Sequence, residues 1–294
     1  MPGVLCGCID IGSNTTRVLV AEASNGRLRE LLQRRVFTRI GKGLKPGAEI
    51  PRAKMEEVAD VVAAHRRLAE QVGADPLRTV ATAAIRGAAN RDEFAAVVSE
   101  RGGVDVTILD GEEEARLAFI GATRTLGRAL DGRVAVVDVG GGSTELAVGT
   151  TAGGVSWWAS FRLGSGQLAD DYLHSDPPGV AELQAAAAHA QGVLEGIEVP
   201  RPECGVAVGG SAASLRRVVG AVLDEESMQR ALRVLSDAPA AEVADRFALD
   251  PERVRLLPAG MLILQAAAQR LGCPLMIGKG GLREGVLLEL AAAG

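Results

Sequence analysis

The feature that most limits what this chain can fold into is a copy of itself. Asp10-Ile11-Gly12-Ser13-Asn14-Thr15-Thr16-Arg17-Val18-Leu19-Val20 aligns with Asp138-Val139-Gly140-Gly141-Gly142-Ser143-Thr144-Glu145-Leu146-Ala147-Val148, a spacing of 128 residues. Each copy is an apolar strand ending in Asp, a Gly-rich turn that closes on hydroxyl residues, and a second strand. Solenoid repeats recur every 20–50 residues or so, less than half of this spacing, and the copy therefore marks duplicated domains. The length of 294 residues suits two domains. Leu130-Asp131-Gly132 reads as the turn ahead of the second. The expected division is 1–127 and 128–294, with the last helix able to pack back on the first domain.

Around the repeated unit, apolar runs of strand length alternate with segments of helical period. Strands are expected at 4–11, 18–23, 77–81, 104–109, 134–139, 146–148, 206–208 and 275–277. Helices are expected at 54–72, 92–100, 112–126, 180–194, 212–222, 260–271 and 283–292. The first of these carries Met55, Val58, Val62, Leu68 and Val72 on one stripe and stops at Gly73, where a left-handed residue is expected. The class is mixed α/β. With 47% hydrophobic residues but only 3% aromatic, its cores must be built from Val, Leu, Ile and Ala.

In both repeated turns the glycines permit close backbone approach, so successive N–H groups can converge on an anion while hydroxyls add donors. Gly12, Ser13, Asn14 and Thr15 form the first such loop, and Gly140, Gly141, Gly142 and Ser143 the second. The carboxylates of Asp10 and Asp138 cannot themselves welcome phosphate. They make sense as direct or water-mediated partners of Mg²⁺ (or Mn²⁺), which bridges carboxylate and phosphate oxygens. One Gly-rich hairpin means little, whereas two matched copies facing across a cleft point to a phosphorylated ligand.

Further segments narrow the reading: Arg39-Ile40-Gly41-Lys42-Gly43-Leu44, Ala81-Thr82-Ala83-Ala84-Ile85-Arg86 followed by Asn90, Asp110-Gly111-Glu112-Glu113-Glu114-Ala115-Arg116, and Gly281-Leu282-Arg283-Glu284-Gly285. With the paired turns they resemble the exopolyphosphatase/guanosine pentaphosphatase (Ppx/GppA) family, of the actin, Hsp70 and sugar-kinase superfamily, over essentially the whole chain. The resemblance implies an α/β fold of two ribonuclease-H-like (actin-like ATPase) domains flanking an interdomain cleft. It implies a phosphoanhydride hydrolase that removes the terminal phosphate of inorganic polyphosphate, with guanosine pentaphosphate as the alternative substrate. By motif position, Glu114 is the catalytic glutamate that orients and deprotonates water, and Glu145 is a second acidic residue near that water. Arg86 matches an arginine that contacts phosphate. Gly209-Gly210-Ser211, where the family has Gly-Gly-Thr, matches a further phosphate-binding helix start. Glu112 and Glu113 read as ordinary first-turn charges. The chain resembles the short two-domain members, and the resemblance also suggests a homodimer.

The remaining features set bounds. A net charge of −5 argues against wholesale nucleic-acid binding. Nine basic residues between Arg27 and Lys54, against Glu30 and Glu49, leave open either a track for a polyanion or a solvated face. No apolar run reaches the length of a membrane span, and Met1-Pro2-Gly3-Val4 lacks the opening of a signal peptide, so a cytoplasmic protein without a membrane partner is expected. Cys6, Cys8, Cys204 and Cys273 are too scattered for disulfides or zinc, and Cys6 and Cys8 would share one strand face in a core. His65, His174 and His189 lie far apart and are assigned no chemistry. Gly164-Ser165-Gly166-Gln167-Leu168-Ala169 fits the dinucleotide pattern but lacks its βαβ start, and reads as a tight turn lining the cleft. Two rival functions stay in view. A kinase of the same superfamily is disfavoured by two water-activating carboxylates and the lack of an acceptor pocket, and a non-catalytic alarmone or phosphate sensor would leave its ligand uncut.

Overall fold

The computed structural model describes residues 3–293. Its first half runs β1 (Val4–Ile11), β2 (Thr16–Ser24), β3 (Arg27–Val36), α1 (Arg52–Val72), β4 (Leu77–Ala81), α2 (Ala83–Arg86), α3 (Arg91–Gly102), β5 (Val106–Ile108) and α4 (Gly111–Thr125). The second runs β6 (Val134–Val139), β7 (Thr144–Thr150), β8 (Gly154–Phe161), α5 (Ser165–Tyr172), α6 (Val180–Leu194), β9 (Cys204–Val208), α7 (Gly209–Val219) and β10 (Val222–Leu223). It continues with α8 (Glu225–Ser236), α9 (Ala240–Phe247), α10 (Pro251–Val254), α11 (Leu257–Leu271), β11 (Leu275–Ile277) and α12 (Leu282–Ala293).

The repeat seen in the sequence extends to whole sheets. The first sheet is ordered β3-β2-β1-β4-β5, and the second, β10-β11-β9-β6-β7-β8, repeats that order with β10 added at one edge. In each, the repeated hairpin is antiparallel and the next strand joins parallel to its first member. We propose the domain limit at 127/128, ahead of the turn where Gly127 and Gly132 both take positive φ, 79° and 69°.

Both faces of each sheet are covered, so the central strands are apolar throughout. Ile9, Ile11, Val18 and Val20 pack under α1 and α3, whose Met55, Val58, Val62 and Phe94 are buried. Helix α1 stops at Gly73, left-handed at φ 85°, whose N–H closes the last turn. The opposite face of β1 carries Cys6 and Cys8, which meet Val286 and Leu287 of α12. The second sheet mirrors this arrangement: Ala135, Val137, Val139 and Val148 face α11, while Val134, Val136, Val206 and Val208 face Ala115, Phe119 and Ala122 of α4. Thus α4 covers the sheet of the second half and α12 the sheet of the first. The two helices cross so closely that a Cβ on Gly121 would strike the Gly281 carbonyl, and one on Gly285 the Leu117 carbonyl.

Among the described residues, no helix is long and apolar enough to cross a membrane.

Strands β3 and β10 were not expected. Both are sheet edges, and β3 (RLRELLQRRV) is exposed at most positions, so it has no buried face whose alternation could be read. Helix α8 did carry a signal: the Asp224 carboxylate accepts from the Ser227 N–H at 2.8 Å, and the Ser227 hydroxyl accepts from the Asp224 N–H at 2.9 Å while donating to the Val222 carbonyl at 3.0 Å, a reciprocal cap.

Candidate active site

The two repeated turns form the same local structure. Gly12 N–H donates to the Thr15 carbonyl at 3.0 Å, and Gly140 N–H to the Ser143 carbonyl at 2.9 Å. Outward-facing carbonyls are then tied to the scaffold behind each loop. In the first loop, Gly41 N–H donates to the Ser13 carbonyl and Arg39 N–H to that of Asn14. In the second, Ser165 N–H donates to the Gly140 carbonyl, and Gly166 and Gln167 to that of Gly141. The dinucleotide-like segment therefore braces a loop with its helix start and has no free N–H cluster for a pyrophosphate of its own. Ser13, Asn14, Gly141, Gly142 and Ser143 keep N–H groups without a backbone partner. The loops also touch: a Cβ on Gly141 would lie 2.8 Å from that of Asn14, so only glycine fits there.

Hairpin register places the chemistry. Asp10 stands opposite Arg17 across β1 and β2, and Asp138 opposite Glu145 across β6 and β7. At this position the duplicated sites differ in charge, basic in one copy and acidic in the other. Burial, joined by the charge of Asp10, pushes the Asp138 carboxyl up to about 6. Burial also raises Asp10, opposed by Arg17. Among the described residues, no three His, Cys, Asp or Glu side chains form a ligand set. Asp10 and Asp138 alone share their charge at the matched strand ends.

Glu114 is 7% exposed on the first turns of α4, whose N-cap Asp110 accepts from the Glu113 N–H at 2.8 Å. Arg86, on α2, donates to Glu114 Oε2 at 2.8 Å and to the Leu109 carbonyl at 2.9 Å. In this arrangement Arg86 holds the glutamate. Burial lifts the Glu114 carboxyl to about 7, against the opposing pull of Arg86. Glu145, 2% exposed, accepts from Ser160 Oγ at 2.8 Å and is raised by burial and by the Glu114 charge. Glu113 instead pairs with Arg116 and Arg78 on the outer face of α4.

At the start of α7, Gly209 takes φ +90°, and a Cβ there would lie 2.5 Å from Asp138 Oδ1. Gly210 faces Arg253 and Arg17. Ser211 is not brought to the cleft: it is fully buried beneath Gly260 of α11, and its hydroxyl has no partner. Sequence reasoning missed Arg17 and Arg253, while Arg35 belongs to the basic segment already singled out there. Arg253 is 4% exposed, its Nε has no partner, and burial with the nearby charges of Arg17 and Arg35 lowers it to about 9. Burial and the Arg283 charge likewise lower Arg17, to about 10. Arg17 faces Asp10 and Arg35 pairs with Asp250, whereas Arg253 has no ion-pair partner among the described residues, an arrangement suited to an anion.

The cleft holds two cavities. The larger, about 570 Å³, contains Asp10, Glu114, Asp138, Glu145, Arg17 and Arg253, and the smaller, about 390 Å³, contains Arg86, Ser160 and further basic residues. Ser13, Asn14, Gly141, Gly142 and Ser143 line both, so the cavities meet at the loops.

Known proteins share this architecture. A crystal structure of the Aquifex aeolicus Ppx/GppA family member superposes with a TM-score of 0.82 at 26% identity, covering 99% of each chain. An exopolyphosphatase structure from Cytophaga hutchinsonii reaches 0.86 at 21% identity, covering 98% of each, which bears on the fold alone. The halves are actin-like. A guanosine-5'-triphosphate,3'-diphosphate pyrophosphatase of Aeromonas hydrophila is 30% identical across 97% of this chain, which spans only 59% of that relative's length. Exopolyphosphatase 1 of Mycobacterium leprae is 27% identical across 96% of this chain and 88% of its own. The family model described as the Ppx/GppA phosphatase family matches residues 19–293, and the chain belongs to that family.

Proposed function

We propose that the chain hydrolyses the terminal phosphoanhydride of inorganic polyphosphate. The observation that carries this reading is Glu114, buried where the two phosphate loops meet and held by Arg86 through one oxygen only. The loop N–H groups and the hydroxyls of Ser13, Thr15 and Ser143 hold the terminal phosphate. Glu114 turns its other oxygen to a water and takes its proton as the water attacks phosphorus. The anhydride P–O bond breaks, and its electrons leave with the shortened chain. Asp10 and Asp138 would hold Mg²⁺ (or Mn²⁺), whose habit of using one or two carboxylates plus substrate oxygens suits a site with two facing acids. Held there, such an ion would supply positive charge to offset that of the phosphate oxygens. Burial, with the charges of Glu114 and Asp138, raises the Glu145 carboxyl, which weakens its repulsion of a phosphate.

Guanosine pentaphosphate is the second reading, favoured by Arg17, Arg35 and Arg253. Arg17 Nε donates to the Thr15 hydroxyl of the first loop at 2.9 Å, so the cluster begins at that loop and suits a further phosphate group on the same molecule. Orthophosphate release from each substrate in parallel, with Mg²⁺, tests both readings. Release from neither leaves a phosphate sensor.

Asp138→Asn should raise the Mg²⁺ concentration for half-maximal activity by roughly tenfold, since one of two carboxylates is lost. An Mg²⁺ titration superposing on wild type would remove Asp138 from the metal site.

A further inference from the structure

The basic segment between β2 and α1 is not uniform in the fold. Arg29 pairs with Glu22, Arg35 with Asp250, Arg39 with Glu252, Arg52 with Glu56 and Lys54 with Glu57. Lys42 and Lys45, in the connection from β3 to α1, have no ion-pair partner among the described residues and face the smaller cavity. From the second half, Arg162 and Arg255 face it too, also without ion-pair partners among the described residues. Arg162 reaches across the cleft, so that a Cβ on Gly87 would lie 2.8 Å from its Nη2. The smaller cavity has six basic side chains against two acidic ones, Asp170 and Glu252, whereas the larger has six against five. A divalent cation belongs in the acid-rich cavity and a chain of anions in the other.

We propose that the smaller cavity is the track for the internal phosphates of a linear polyphosphate, with Lys42, Lys45, Arg162 and Arg255 as its walls. The inference rests on the reading that the terminal phosphate lies on the loops, and it follows because those loops line both cavities. A chain anchored there by its end passes directly between the free cations of both halves. Guanosine pentaphosphate offers only two phosphates in line behind its terminal one, too short a run to extend along the track.

The test compares kcat/KM for tripolyphosphate and for a medium-length polyphosphate, in wild type and in Lys42→Gln/Lys45→Gln/Arg162→Gln. The three side chains are exposed, so the variant should fold as wild type. The preference for the longer chain should fall about tenfold, through KM and not kcat, and the difference should shrink in high salt as exposed charges are screened. Direct binding of the same polymer to full-length Glu114→Gln, with and without the three changes, gives a readout that needs no turnover. An unaltered chain-length preference with active wild type overturns the track and leaves the proposed function standing. Wild type that cleaves guanosine pentaphosphate but neither polymer overturns both. Displacement of polyphosphate by single-stranded RNA at matched phosphate concentration would reassign the cavity to a nucleic-acid backbone.

Discussion

Glu114→Gln is expected to lower turnover about 10²–10⁴-fold while substrate binding persists, the usual cost of removing a general base. The amide keeps the shape of the carboxylate and still accepts from Arg86, so the cleft wall is preserved. What it cannot do is take the water's proton. The wild-type pH profile should report the same group. Burial holds the Glu114 carboxyl at about 7, and only its deprotonated form is a base, so the rate should climb as pH rises toward 7 and level off above it. Bound cation would move that limb to lower pH by favouring the carboxylate. Phosphate release in the variant near the wild-type rate, with the acid limb still present, would remove Glu114 from the chemistry.

Gly121→Ala and Gly285→Ala should each cost roughly 3 kcal/mol or more, at or beyond the top of the range for overpacked cores. Each new methyl meets a backbone carbonyl of the other helix, which cannot rotate away as a side chain can. The helices must separate, and Phe119 and Leu287 then lose contact with their sheets. Gly192→Ala on α6 is the control, because nothing lies within 4 Å of a Cβ there. That change should be neutral or stabilise by about 0.5–1 kcal/mol through helix propensity. Urea denaturation midpoints at constant slope decide the matter. Equal midpoints for all three variants would mean that the crossing is loose.

Much of the site was legible because its parts are local. The paired loops announce themselves through glycines and hydroxyls within a few residues of a strand-end Asp, and their turns need only neighbours in sequence to form. Arg17 was in plain view as the mismatch to Glu145 in the repeat. It acquired meaning only when β1 and β2 set it opposite Asp10, beside an arginine from a distant four-residue helix. Arg253 itself has no periodicity or motif around it. The hydroxyl of Ser211 illustrates the converse, a residue that fits a motif by type while its helix turns it toward α11. Edge strand β3 was invisible for another reason: with one neighbour and a wet face, it need not be apolar.

The exchange of α4 and α12 between the halves bears on how the chain is made. The face of the first sheet that carries Cys6, Cys8, Leu19 and Ala21 is closed by Leu282, Val286 and Leu287, which leave the ribosome only after the entire second half. Until then the nascent first half presents an apolar sheet face with its proper cover still untranslated, and contacts of such long sequence separation are slow to close. The emerging chain is therefore a natural client for chaperones that shield apolar surface during synthesis. The cover of its earliest strands becomes available only once α12 has been made.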